Sequence, residues 1–94
     1  MRPVLLIEGV AELRTAICDL LGRHGLPVVA SADTAEAIAR TSTLSDRPAV
    51  ILADRRLSGG DGHELLDWIR SRAELDEVPV LLFTFCAPAG EAVR

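Results

Sequence analysis

Three oxygen-bearing side chains stand at the ends of short apolar runs. Glu8 follows Val4-Leu5-Leu6-Ile7, Asp54 follows Ala49-Val50-Ile51-Leu52-Ala53, and Thr84 follows Val80-Leu81-Leu82-Phe83. A carboxylate can act as a nucleophile, and paired carboxylates can hold a hard divalent cation, so this set deserves first consideration. The other chemistry-bearing residues make weaker patterns. Cys18 and Cys86 match no metal or redox spacing and read as small apolar residues. His24 suits a helix C-terminus, where the dipole favours it, and His63 suits an exposed first turn; neither has a metal partner at useful spacing. Asp61 reads as a helix cap, and Trp68, beside Leu65 and Ile69, reads as packing. The loop after the first apolar run carries one glycine and no phosphate-cradling motif. No Ser/His/Asp or Cys/His set can be assembled, which argues against a hydrolase or nucleotide-binding protein.

These residues are positioned by alternating strand-length and helix-period segments. The run Val4-Leu5-Leu6-Ile7 is continuously apolar, as expected of a parallel strand covered on both faces. From Ala11 to about His24, Leu13, Ala16, Ile17, Leu20 and Leu21 recur at three- and four-residue spacing and form a helical stripe that Gly25 can end. Val28-Val29-Ala30 is a second strand. Asp33 and Glu36 then form a capping-box pattern for a short helix reaching about Arg40. A third strand, Ala49 to Ala53, terminates at Asp54. Asp61 and Glu64 repeat the cap pattern before a helix that buries Leu65, Leu66 and Ile69, and Pro79 introduces the strand Val80 to Phe83, closed by Thr84.

Strands joined by single helices are parallel, with right-handed crossovers, so all four strand C-termini share one edge. Ligands of open α/β sheets bind at that edge, where the strand order reverses, and Glu8, Asp54 and Thr84 converge there for topological reasons.

The length of 94 residues admits one domain, spanning 1–94, and 49% hydrophobic with 26% charged residues is a globular rather than a disordered composition. A net charge of −4 without a basic cluster argues against nucleic acid as a partner. The apolar runs are strand-length and the start Met1-Arg2-Pro3 lacks a secretory signal, so no membrane association is expected and the cytoplasm is the expected location.

Three blocks carry a resemblance to a known family. Val4 to Arg14, Val50 to Gly62 and Pro79 to Thr84, at their observed spacing, resemble the response-regulator receiver domain of two-component signalling. The resemblance implies a flavodoxin-like α/β fold with strand order 2-1-3-4 and helices on both faces. It further implies that Asp54 is the phosphoryl acceptor, that Thr84 contacts the phosphoryl group, and that Glu8 and Asp54 are ligands of a magnesium ion. The chemistry agrees, because a carboxylate acceptor and an incoming phosphate repel unless a hard cation lies between them.

The sequence departs from the family pattern in three places. Gly9 stands where the family has its second acidic residue, so magnesium is expected to bind weakly; Glu8, one methylene longer than the usual Asp, can extend toward that vacancy. The family's lysine on a fifth strand has no counterpart, since the sequence contains no lysine, and losing a charge-assisted hydrogen bond weakens the phosphorylated state by roughly tenfold to a hundredfold. The fifth strand and final helix are also expected to be missing, a truncation that leaves Val80 to Phe83 as an edge open to self-association.

Two functions follow from the resemblance. In one, the chain is a phosphorelay receiver, not an enzyme, that takes a phosphoryl group on Asp54 from a histidine kinase or phosphotransfer protein. In the other, it is a pseudo-receiver that binds protein partners without phosphorylation, which Gly9 and the absent lysine favour.

Overall fold

The computed structural model describes residues 1–55 and 63–83. In these residues β1 (Val4–Ile7), α1 (Ala11–Arg23), β2 (Val28–Ser31), α2 (Thr34–Thr41), β3 (Val50–Asp54), α3 (His63–Arg70), a 3-10 turn at Ala73–Leu75 and β4 (Val80–Phe83) follow in chain order. The strands form one four-stranded sheet in the order β2-β1-β3-β4. Every pairing is parallel, as the alternation of strands and helices requires.

The chain moves outward from β1 to β2, then returns across β1 to β3 and β4. With right-handed crossovers this reversal puts α1 on one face and α2 and α3 on the other. The second face carries the core. Leu5, Ile7, Ile51 and Ala53 of the sheet pack with Ala37, Leu65, Trp68, Leu75 and Val78, and Val29, Ile38, Ile69 and Val80 border them. Fully burying one of these large apolar side chains contributes about 1.5–3 kcal/mol, so this cluster is the main source of cohesion. Trp68 thus packs in the core, as its place beside Leu65 and Ile69 suggested.

The α1 face is less enclosed. Leu6 is fully buried, but no residue of α1 is, and Leu20 of the expected stripe is half exposed. The spacing of Leu13, Ile17 and Leu21 aims them at the sheet, where α1 packs against β2, and they are half-buried there. On β4, Leu81 and Leu82 are also half exposed, and among the described residues β4 pairs with β3 alone.

The helix ends follow local chemistry. Gly25 adopts φ +77°, and Leu26 N donates to Leu21 O while Gly25 N donates to Gly22 O, the paired bonds of a left-handed C-terminal cap. His24 Nδ1 lies 3.0 Å from Leu20 O at the same terminus. At α2, Glu36 N donates to Asp33 Oδ1 at 2.8 Å, and Glu36 reaches back to accept from Ala32 N, one residue before the Asp33 amide that a standard capping box engages. That amide bond, followed by the Arg40 guanidinium, holds the Glu36 carboxyl below its ordinary range. Among the described residues no helix is long and apolar enough to cross a membrane.

Candidate functional site

The strand register brings Glu8 and Asp54 together. Ile7 of β1 pairs with Ala53 of β3, so the next residues, Glu8 and Asp54, stand opposite one another where both strands run out. Neighbouring strands lie about 4.8 Å apart, and directly opposed residues present their side chains to the same face. Here β1 and β3 sit at the reversal of strand order, where an open α/β sheet leaves a crevice. Glu8 is fully buried and Asp54 is 8% exposed.

Glu8 is held at three points. Its backbone N–H donates to Ser31 O at 2.9 Å, extending the β1–β2 ladder by one bond. Its Oε2 accepts from Val10 N at 2.9 Å, and its carbonyl oxygen accepts from Arg14 Nη1 at 2.8 Å. The bond to Val10 has a local cause: Val10 is the N-cap residue of α1, so its N–H has no partner within the helix and takes the Glu8 side chain as acceptor. Glutamate's extra methylene carries the carboxylate over Gly9 to that amide.

This leaves Oε1, which is buried and has no hydrogen-bond donor. The Glu8 carboxyl has the Asp54 carboxyl as its neighbour, with which it forms a hydrogen bond when one of the two groups carries a proton. Desolvation by burial pushes the Glu8 carboxyl above its ordinary value. The Asp54 carboxyl adds to this through its hydrogen bond and its charge, while the Val10 amide and the Arg14 charge oppose it. With both groups ionised, the pair is two buried like charges with one oxygen lacking any compensating donor.

A hard divalent cation suits that arrangement. Glu8 Oε1 and the Asp54 carboxylate are oxygen ligands of the preferred type, and a magnesium ion commonly binds through one or two carboxylates while keeping several waters. Gly9 supplies no oxygen from a side chain. Its position could take one, because a Cβ built there would meet only Ala32 O, at 3.6 Å, an ordinary contact, and its φ is not in the left-handed region. Among the described residues no group of three or more His, Cys, Asp or Glu side chains could hold a metal, and Glu8 and Asp54 are the two carboxylates at this strand edge.

Thr84, Asp61 and Cys86 lie outside the described residues. Phe83, which precedes Thr84, pairs with Asp54, and Arg55 N donates to Phe83 O at 2.8 Å, so the described part of β4 ends beside Asp54. Cys18 is a free, half-buried thiol on α1, in keeping with its reading as a packing residue. Arg14 was not legible as a site residue. Its only signal was its place one turn into the helix that follows Glu8, where a long side chain can fold back over the strand end.

The family model of the response regulator receiver domain matches residues 4–94. The chain is 37% identical over 93 residues to the response regulator protein FleR of Pseudomonas aeruginosa, a match covering 97% of this chain and 18% of that protein. It is 32% identical over 91 residues to hybrid signal transduction histidine kinase D of Dictyostelium discoideum, covering 97% of this chain and 6% of that one. Among solved structures it is similar to the chemotaxis response regulator CheY4 of Vibrio cholerae, with a TM-score of 0.80 and 25% identity, covering 97% of this chain and 75% of that chain. The chain thus spans a small part of the length of these two curated relatives.

Proposed function

This chain belongs to the response regulator receiver domain family, and from that premise we propose that it accepts a phosphoryl group on Asp54 from a histidine kinase or phosphotransfer protein. The observation that carries the proposal is the buried, register-opposed pair of Glu8 and Asp54 at the C-terminal edge of the sheet, with Glu8 Oε1 left unpaired.

In the proposed step a carboxylate oxygen of Asp54 attacks the phosphorus of a phosphohistidine. The phosphorus–nitrogen bond breaks and its electron pair leaves with the imidazole nitrogen, so Asp54 ends as an acyl phosphate. Glu8, through Oε1, and Asp54 would hold a magnesium ion. When bound, that ion offsets the repulsion between the carboxylates and the phosphoryl oxygens. Glu8 contributes position as well as charge, because its bonds to Val10 N, Ser31 O and Arg14 fix where its free oxygen lies. Thr84, one residue beyond the strand position that pairs with Asp54, is the proposed hydroxyl contact to the phosphoryl group. The chain acts as a signalling module in the cytoplasm and not as an enzyme.

Gly9 supports a second reading, a pseudo-receiver that uses the scaffold for protein contacts alone, since one carboxylate of the cation site is absent. Amide-resolved NMR with magnesium and beryllium fluoride, which mimics an acyl phosphate, separates the two. Shifts centred on Glu8, Asp54 and the end of β4 are expected. A dispersed spectrum that does not respond to the mimic favours the pseudo-receiver.

A further inference from the structure

We propose that Arg14 is a positioning residue for the cation site, acting through the backbone of Glu8; the inference rests on the reading of Glu8 and Asp54 as magnesium ligands. The turn from β1 to α1 is three residues long, Glu8-Gly9-Val10. Its middle residue is glycine, which has the fewest conformational restraints, and a Cβ there would meet nothing closer than 3.6 Å, so packing does not fix the turn. Hydrogen bonds must do so.

Two bonds meet at Arg14. Its backbone N donates to Val10 O at 2.8 Å, the first rung of the helix and independent of the side chain, whereas its guanidinium Nη1 donates to Glu8 O at 2.8 Å and ties α1 back to the end of β1. The second bond satisfies the carbonyl of a residue with no solvent exposure. Without it that carbonyl is buried and unpaired, and the peptide joining Glu8 to Gly9 gains a reason to rotate toward another donor. Rotation there moves Val10 N, and with it the donor that holds Glu8 Oε2. Once Oε2 is released, the Glu8 carboxylate loses the bond that fixes its orientation beside Asp54. Arg14 thus has the relation to Glu8 that outer-shell groups have to metal ligands, touching the ligand and not the ion.

Position and charge make opposite predictions. Arg14 is a cation near Glu8 and repels an incoming metal ion, so if charge were its only influence, removing it would tighten magnesium binding. If it positions Glu8, removing it weakens binding. The test is a magnesium titration of the full chain and its variants, followed by the amide shifts of Glu8, Val10 and Asp54. For Arg14→Ala and Arg14→Gln the expected result is a magnesium affinity roughly tenfold to a hundredfold weaker, the range for lost outer-shell partners. Arg14→Lys, which keeps a charged donor, is expected to recover most of the loss. Arg40→Ala removes the same charge from a side chain that pairs with Glu36 and not with Glu8, and is expected to leave affinity unchanged. Unchanged or tighter binding by folded Arg14→Ala overturns the proposal. So does loss of amide dispersion in all three Arg14 variants, which would make its role one of fold stability alone. Failure of the unsubstituted chain to bind magnesium is a different result: it removes the metal-site reading itself, and this inference with it.

Discussion

Replacing Glu8 with Gln should stabilise the metal-free chain at neutral pH while abolishing its response to magnesium. Two unit charges about 5 Å apart, the spacing of adjacent strands, repel by about 3 kcal/mol at an effective dielectric near 20. Glu8 is fully buried and Asp54 nearly so, so salt screens little of this. Glutamine keeps an oxygen for Val10 N and offers Asp54 an N–H where the native chain has the unpaired Oε1. The gain is therefore up to about 3 kcal/mol, and at roughly 4–8 °C per kcal/mol for a domain of this size it corresponds to a rise in Tm of up to roughly 12–24 °C. It should also depend on pH. Glu8 is raised above its ordinary 4.5 in the folded state, so between that value and the raised one the folded chain binds more protons than the unfolded, and native stability falls as pH rises. The contribution of protonated Glu8 is fully present below 4.5 and lost as pH climbs through the folded-state value, so the advantage of Gln should grow with rising pH and vanish in acid. Urea unfolding followed by the fluorescence of Trp68, the single tryptophan, measures this directly. With magnesium the difference should narrow or reverse, because only the native pair gains from the ion. A Glu8→Gln chain that unfolds at lower urea than the native chain at pH 7 without metal would refute the reasoning.

Three further changes probe other parts of the molecule. Gly9→Asp places a third carboxylate where a Cβ fits, and should tighten magnesium by about tenfold, or 1.4 kcal/mol, while lowering metal-free stability; calorimetric titration reads the first effect and urea unfolding the second. Gly25→Ala forces a side chain into φ +77° at the end of α1 and should cost about 1–2 kcal/mol, seen as a lower urea midpoint at unchanged slope. The half-exposed Leu81 and Leu82 on β4 should promote self-association. Size-exclusion chromatography is expected to show concentration-dependent elution that Leu81→Lys suppresses, and a concentration-independent monomer would contradict this.

The strands were legible because they are written as uninterrupted apolar runs; Val4 to Ile7, buried on both faces, and Val80 to Phe83, half exposed, both occupy the expected positions. Chain direction and strand order then placed Glu8 beside Asp54 without knowledge of any side-chain contact. The extent of burial on α1 was not legible. Helical spacing identifies which residues face the sheet, but not how much neighbouring surface exists to cover them, and Leu20 is half exposed although it belongs to the stripe. The 3-10 turn at Ala73–Leu75 was missed for another reason: three residues give no periodicity to detect, yet they bury Leu75. Within the site, residue types predicted the carboxylates but not how Glu8 is held. Its contacts to Val10 N and Arg14 depend on the angle at which α1 leaves the strand, which three-dimensional packing sets.

Phosphoryl transfer itself is the most direct test. The chain should be incubated with magnesium and acetyl phosphate, a small phosphoryl donor that needs no cognate kinase, and analysed by intact mass with peptide mapping after borohydride trapping of the acyl phosphate. The expected result is one added phosphoryl group, located at Asp54, absent from Asp54→Asn and reduced in Glu8→Gln. A folded chain that gains no phosphoryl group, or gains one that survives Asp54→Asn, contradicts the assignment of Asp54 as acceptor.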